Sequence, residues 1–176
     1  MTRRVIFPGN DYWTTHKETT MNDKAADARR AMALISHHTR GHQPGINAII
    51  REAVDADRAT ELLLAVLDAY PPIVNVLRTA EAQGAMTELV HQIAEFDDDP
   101  DWQRAARTII ASATRDLAAM LQIVDEANDQ KRCPQLLGSV CGVYGLLLPE
   151  LATPIGCDAI STITARLTAR EAEGDR

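Results

Sequence analysis

The chain of 176 residues has a formal net charge of −7, with 45% apolar but only 4% aromatic residues. Such a chain buries enough surface to fold as one domain, or as two small ones, without a disulfide or a structural metal. The scarcity of aromatic residues favours closely packed helices over a sheet, and the acidic charge disfavours general nucleic-acid binding.

Residues 1–21 differ from the rest of the chain. They contain Phe7, Tyr12 and Trp13 but no helical period. We expect a flexible N-terminal arm, because chain ends without packed apolar residues are poorly ordered. Alternatively, Tyr12 and Trp13 anchor this arm on a partner or on a second copy, since buried aromatic side chains dominate binding energies.

The sequence also predicts a location. No run approaches the roughly 20 apolar residues that cross a bilayer, and the apolar run after Arg3-Arg4 is too short for a secretion signal. The cysteines, Cys133, Cys141 and Cys157, are odd in number and lack a CxxC spacing. Free thiols indicate a reducing compartment. We therefore expect a cytoplasmic protein without membrane contact, bound metal or cofactor.

The main pattern in the body of the chain is an internal repeat at an offset of 74. Glu52-Ala53-x-Asp55-x-x-Arg58 reappears as Glu126-Ala127-x-Asp129-x-x-Arg132. From Arg30 to Ile93, 15 of 64 positions are identical to their counterparts at this offset, where about five are expected by chance from this composition. The sequence therefore predicts a tandem duplication.

Each copy shows the apolar spacing of four short helices. The first helix begins near Asn22 and ends at Gly41, and Pro44 begins the second. The third carries an apolar stripe from Ala59 to Tyr70, after which Pro71-Pro72 predict a break. We expect an all-α fold of two tandem copies, residues 22–94 and 100–169, packed as a bundle or a short solenoid.

Residues 95–99 between the copies are predicted to form an acidic hinge. Asp99 followed by Pro100 is typical of a helix start, with an N-cap and a proline in the first turn. A calcium loop is the alternative, but the segment lacks the alternating ligands and the central glycine of such loops. Beyond the second copy, residues 170–176 are predicted to form a frayed tail.

Two sets of polar residues are retained in both copies: Glu52, Asp55 and Arg58, with Glu126, Asp129 and Arg132. Their position between the second and third helices suggests that each arginine reaches back to a carboxylate and fixes the angle between those helices. A paired ligand site, one in each copy, is the alternative. Tyr70 and Tyr144 close equivalent apolar stripes and are expected in the core rather than in a site.

His37, His38 and His42 form a cluster of metal-capable side chains. His38 and His42 have the spacing of helical zinc ligands, but Gly41 between them is expected to end the helix. No other ligand lies nearby in sequence, so a solvated helix end, where a cationic histidine is favourable, is the structural interpretation. Metal or ligand binding is the functional alternative. No catalytic motif is evident elsewhere.

The segments Gly45-Ile46-Asn47-Ala48-Ile49-Ile50-Arg51-Glu52-Ala53 and Arg58-Ala59-Thr60-Glu61-Leu62-Leu63-Leu64 resemble short Ala- and Arg-rich helical proteins of mycobacteria, other actinobacteria and their phages. The resemblance covers about a third of the chain. It implies an all-helical protein and assigns no activity to any residue.

Three functions remain open on the sequence alone. The first is a non-catalytic helical module that binds a protein partner or a second copy of itself. The second is a metal- or ligand-binding protein that uses the region from His37 to His42. The third is a phage or mobile-element protein whose acidic surface blocks a host factor.

Overall fold

The computed structural model describes residues 21–174. Within this range the chain forms eight α-helices and one short 3₁₀ helix, with no strand. The helices are α1 Met21–Thr39, α2 Gln43–Asp55, α3 Ala59–Leu77, α4 Ala80–Phe96, α5 Pro100–Thr114, α6 Leu117–Asp129, α7 Cys133–Leu147 and α8 Pro154–Gly174, with the 3₁₀ helix Pro149–Ala152 before α8. The predicted all-α class is confirmed. The N-terminal arm with Tyr12 and Trp13 lies outside the described residues.

Several helix ends follow from local sequence. Gly41 has a φ of +63° and follows α1, and Pro44 lies in the first turn of α2, both as predicted. Helix α5 begins at Pro100, and the side chain of its N-cap Asp99 accepts a hydrogen bond from the backbone N–H of Asp101. Helix α4 runs through Phe96, so the connection to α5 is residues 97–99, shorter than the predicted hinge. Helix α8 continues to Gly174, into the predicted tail.

The predicted break after Tyr70 is wrong. Helix α3 continues through Pro71 and Pro72 to Leu77. Each proline removes one backbone donor but keeps a φ that a helix accepts. Five buried side chains precede the prolines and hold the helix: Leu62, Leu63, Val66, Leu67 and Tyr70. Tertiary packing therefore outweighs the local helix-breaking tendency.

The continuous helix also changes one expectation about membranes. Because α3 does not break, its 19 residues are long and apolar enough, by length and composition, to cross a bilayer. The core helix of a soluble protein meets the same criteria, and five side chains of α3 are buried. One such helix is weak evidence, and the absence of membrane contact stays a prediction.

The helices form two compact units. Within the described range, the contiguous unit is Leu77–Val143, and the split unit is formed by residues 21–76 and 144–174. These divisions at 76/77 and 143/144 differ from the predicted division at the acidic segment. Each unit therefore combines helices from both predicted copies.

In the contiguous unit, α5 packs against both α4 and α6. The fully buried Ala105 and Ala106 lie on α5, and such small side chains allow helices to approach closely. In the split unit, α1 packs against α2 and α8, and α8 also packs against the 3₁₀ helix. Leu34 and Ile35 of α1 are completely buried there.

Candidate functional site

A buried carboxylate joins three helices of the contiguous unit. Asp101, 5% exposed, lies in the first turn of α5. Its Oδ1 accepts from Arg104 Nη1 at 2.9 Å and from Arg132 Nε at 3.3 Å, and Arg132 Nη2 donates to Oδ2. Arg132 precedes α7, and Arg104 Nη2 donates to Gln130 Oε1, after α6, at 2.6 Å. The cluster thus ties α5 to the connection between α6 and α7.

The split unit contains a matching cluster around Asp27 of α1. Oδ1 of this buried carboxylate accepts from Arg30 Nη1 at 3.1 Å and from Arg58 Nε at 3.0 Å, and Arg58 Nη2 donates to Oδ2. Arg30 Nε also donates to Glu52 Oε1 at 2.7 Å. At the offset of the repeat, the counterparts of Asp27, Arg30 and Arg58 are Asp101, Arg104 and Arg132.

The structure changes the expected partner of the retained arginines. Arg58 and Arg132 pair with an aspartate on the first helix of their predicted copy, not with the acids between the second and third helices. Asp55 and Asp129 are exposed. Glu52 pairs instead with Arg30, and Glu126 lies 3.5 Å from Arg107 Nη2.

Sequence reasoning missed Asp27 and Asp101. They are identical at the same offset of 74 but lie three residues before Arg30 and Arg104, outside the aligned region from Arg30 to Ile93. Extending that region by one helical turn would have found them, because residues three apart share a helix face.

Charge pairing dominates the electrostatics of both clusters. Hydrogen bonds from Arg132 are the main reason why the pKa of Asp101 lies below its ordinary value; burial opposes this lowering, and the charges of Arg132 and Arg104 add to it. The bonds to Asp27 likewise raise the pKa of Arg58. Arg104 Nε is buried without a hydrogen-bond partner among the described residues. Groups held this firmly in one ionisation state suit structural tethers better than proton-transfer catalysts.

The histidine cluster lies where the chain reverses between α1 and α2. Gly41 adopts its positive φ there and brings the rings of His37 and His42 together, with Nδ1 of each 3.0 Å from the other. The ring of His37 also lies against Gly45, where an added Cβ would be 2.6 Å from Cε1. Glycine at position 45 is therefore needed for this arrangement.

Protonation of His37 and of His38 is disfavoured. Burial, followed by the charges of His42 and Arg40, lowers the pKa of His37, and burial lowers the pKa of His38. A hydrogen bond between two Nδ1 atoms needs one donor and one acceptor, so at most one of the two rings is cationic while it lasts. In the part of the chain that the structure describes, no group of three or more His, Cys, Asp or Glu residues is placed to hold a metal ion.

Tyr70 and Tyr144 stack on each other inside the split unit. Their ring centroids are 3.7 Å apart, the ring planes differ by 11°, and both side chains are buried. Tyr70 lies on α3 and Tyr144 near the end of α7. The pair therefore joins the two segments of chain that make up this unit, which is a packing role.

The three cysteines are free thiols. Cys141 is fully buried, and the Sγ of Cys133 donates to Asn128 Oδ1 at 2.6 Å. Burial raises the pKa of Cys133 although Arg104 opposes the effect. A thiol that stays protonated is a poor nucleophile.

Comparison of the chain with protein-family models, curated proteins and solved structures gave no match. The class that the fold defines is thus an all-helical protein of two compact units.

Proposed function

We propose that this chain is a duplicated, non-catalytic helical module that binds a protein partner or a second copy of itself. The duplication is supported by equivalent contacts at corresponding positions of the two copies. Besides the two aspartate clusters, the backbone N–H groups of Ala82 and Gly156 each donate to a threonine hydroxyl, Thr79 or Thr153, at 3.3 Å. Asp57 and Lys131 both have a φ of 57°.

One observation supports the interaction role: two large apolar side chains are exposed to solvent at positions where the other copy has a glutamate. Val76 is 84% exposed and Ile155 is 82% exposed. The residues at the offset of 74 are Glu150 and Glu81, and both are exposed. Because the fold accepts a charge at either position, packing does not require the apolar residue. Burial of these side chains against a partner would be favourable, because it removes apolar surface from water.

The proposal is tested with a variant that carries, at positions 76 and 155, the glutamate found at the counterpart position of the other copy. Val76→Glu with Ile155→Glu should fold with unchanged stability but lose partners that the wild type recovers from its native host, and any self-association measured by light scattering. The matched control, Asn75→Glu with Ala159→Glu, adds the same charge at neighbouring exposed positions and should retain binding. A monomeric wild type that recovers no partner would refute the proposal.

A cytoplasmic location is part of this proposal. Three free cysteines are the supporting feature, because thiols persist in reducing compartments. Exclusion of the chain from the cytoplasmic fraction of its host would contradict it.

A second candidate function is metal or small-ligand binding by His37 and His42. It is favoured by the 3.0 Å separation of the two Nδ1 atoms, since two histidine nitrogens on one tetrahedral zinc ion lie about 3.3 Å apart. Titration with zinc and nickel should then produce heat and a thermal shift in the wild type and neither in His37→Ala with His42→Ala. His91→Ala, on an exposed part of α4, is the control.

A further inference from the structure

Among the described residues, one buried nitrogen of the Asp101 cluster lacks the kind of hydrogen-bond partner that its counterpart in the split unit has. That nitrogen is Arg104 Nε. In the split unit, Arg30 Nε donates to Glu52 Oε1 at 2.7 Å. The residue at the offset of 74 from Glu52 is Glu126. The contiguous unit therefore contains the acceptor that Arg104 Nε would need.

The two arginines are anchored in the same way. Arg104 Nη1 donates to Asp101 Oδ1 at 2.9 Å. Arg30 Nη1 donates to Asp27 Oδ1 at 3.1 Å. Helix α5 packs on α6, and α1 packs on α2. In the split unit this anchoring leaves Nε free to reach the glutamate on the next helix, so a bond from Arg104 to Glu126 is compatible with the bond to Asp101.

Glu126 and Arg104 have other partners in the contiguous unit. Arg107 Nη2 lies 3.5 Å from Glu126 Oε2, and Gln122 Nε2 donates to Glu126 Oε1 at 3.2 Å. Gln130 Oε1 accepts from Arg104 Nη2 at 2.6 Å. At the offset of 74, the positions of these three partners hold alanine: Ala33, Ala48 and Ala56. The competition for Glu126 is therefore specific to the second predicted copy.

The two possible ion-pair partners of Glu126 differ in exposure. The Arg107 side chain is 44% exposed, whereas the Arg104 side chain is 6% exposed. An exposed ion pair contributes little and is weakened by salt. A buried donor without an acceptor is costly, and salt screens a buried pair much less. Salt should therefore weaken the pair with Arg107 more than a pair with Arg104.

We propose that Glu126 is a salt-responsive switch, which pairs with Arg107 at low ionic strength and with Arg104 Nε at high ionic strength. Arg104 and Arg107 lie three residues apart on α5 and share a face, so Glu126 reaches either by rotation of its side chain. The switch leaves an unneutralised positive charge on the exposed Arg107. It rests on the duplication in the proposed function, which supplies the Arg30–Glu52 template, but it requires no partner.

NMR spectra of the arginine Nε–H groups test the switch, with Arg30 as the internal reference. An Nε–H group that donates to a carboxylate resonates downfield of one without an acceptor. The Arg104 resonance should move toward that of Arg30 between about 0.01 M and about 1 M salt, over which the screening length falls from about 30 Å to about 3 Å.

Two variants show whether Glu126 causes the movement. Arg107→Ala, which carries the residue of the other copy, should place the Arg104 resonance downfield already at low salt. Addition of Glu126→Ala should remove this effect. An Arg104 resonance that does not respond to salt, or that stays upfield in Arg107→Ala, overturns the proposal.

Thermal unfolding gives an independent measurement in the Arg107→Ala background. If Glu126 moves to Arg104, Glu126→Ala should lower the Tm of that variant by roughly 3–12 °C. Alanine favours helices more than glutamate does, so a lower Tm would not come from helix propensity. Gln122→Ala in the same background is the control for the lost Gln122 contact and should have a smaller effect. An unchanged Tm on Glu126→Ala refutes the switch.

The switch and the proposed interaction fail independently. Neither measurement involves a partner, so a failed switch leaves binding through Val76 and Ile155 standing. Loss of that binding in Val76→Glu with Ile155→Glu does not alter the expected Arg104 resonance.

Discussion

Replacement of Asp101 by asparagine tests whether the buried carboxylate cluster around this residue stabilises the contiguous unit. The substitution keeps the shape of the side chain but removes its charge. Arg104, 5% exposed, then lacks its only carboxylate partner among the described residues, while Arg132 is 45% exposed at its side chain and can be solvated. The loss of stability should therefore arise mainly from Arg104.

The magnitude follows from that asymmetry. Removal of one partner from a buried ion pair costs about 3–5 kcal/mol, and a hydrogen bond to a charged group contributes about 1.5–3 kcal/mol. The asparagine oxygen still accepts one bond, so we expect a loss of about 2–3 kcal/mol. In a chain of this size, this corresponds to a fall in Tm of roughly 4–12 °C.

Urea denaturation followed by circular dichroism measures the loss. Asp125→Asn, the same substitution at an exposed position on α6, is the control and should change stability by less than about 0.5 kcal/mol. If the two variants are equally stable, the cluster does not hold the contiguous unit and the reasoning fails.

The acid dependence gives a second measurement of the same cluster. The pKa of Asp101 is depressed in the folded chain, so its stabilising contribution is present above the unfolded pKa, near 4, and is lost as the pH falls through the folded value. Below about pH 4, the Asp101→Asn variant should therefore lose less stability than the wild type loses over the same pH range. The control variant Asp125→Asn should lose as much stability as the wild type.

Three further predictions concern the split unit. Burial lowers the pKa of His38, so stability should fall as the pH drops below about 6.5, and His38→Gln should reduce that fall in urea titrations at several pH values. Tyr70→Ala should cost about 3–5 kcal/mol, and a double-mutant cycle with Tyr144→Ala should give a coupling of about 0.5–1.5 kcal/mol; additive effects would show that the stack contributes nothing. Pro71→Ala should raise the Tm, because it restores a backbone donor within α3, and an unchanged or lower Tm would contradict this.

The sequence was sufficient to predict several helix ends. Gly41, Pro44 and the Asp99-Pro100 pair mark helix ends because each restricts the backbone or satisfies its first donors. The break predicted at Pro71 does not occur, because the buried apolar stripe before it stabilises α3. This burial depends on tertiary contacts, which the local sequence does not reveal.

Long-range pairing was the part that the sequence could not supply. The retained arginines were identified, but Asp27, 31 residues before Arg58, was not. The packing of α8 on α1 was equally inaccessible, since an internal repeat predicts equivalent helices without stating which helix covers which. The convergence of His37 and His42 depends on a reversal at Gly41, and a helical-spacing argument applied to His38 and His42 pointed to a different pair.

The equivalences also indicate where a function should be sought. Residues that are the same in both halves, such as Asp27 and Asp101, make the same contacts in their own units, so packing is sufficient to explain their retention. Residues that differ between the two halves cannot be explained by packing that both halves share. Val76 and Ile155 are exposed apolar residues, and the residues at the offset of 74 are exposed glutamates. Under the proposed duplication, neither apolar residue is therefore required for packing. Glu81→Ile with Glu150→Val, which places apolar residues at the counterparts, should therefore fold normally and increase self-association. If light scattering shows that this variant stays monomeric, exposed apolar residues at these positions are not enough for binding.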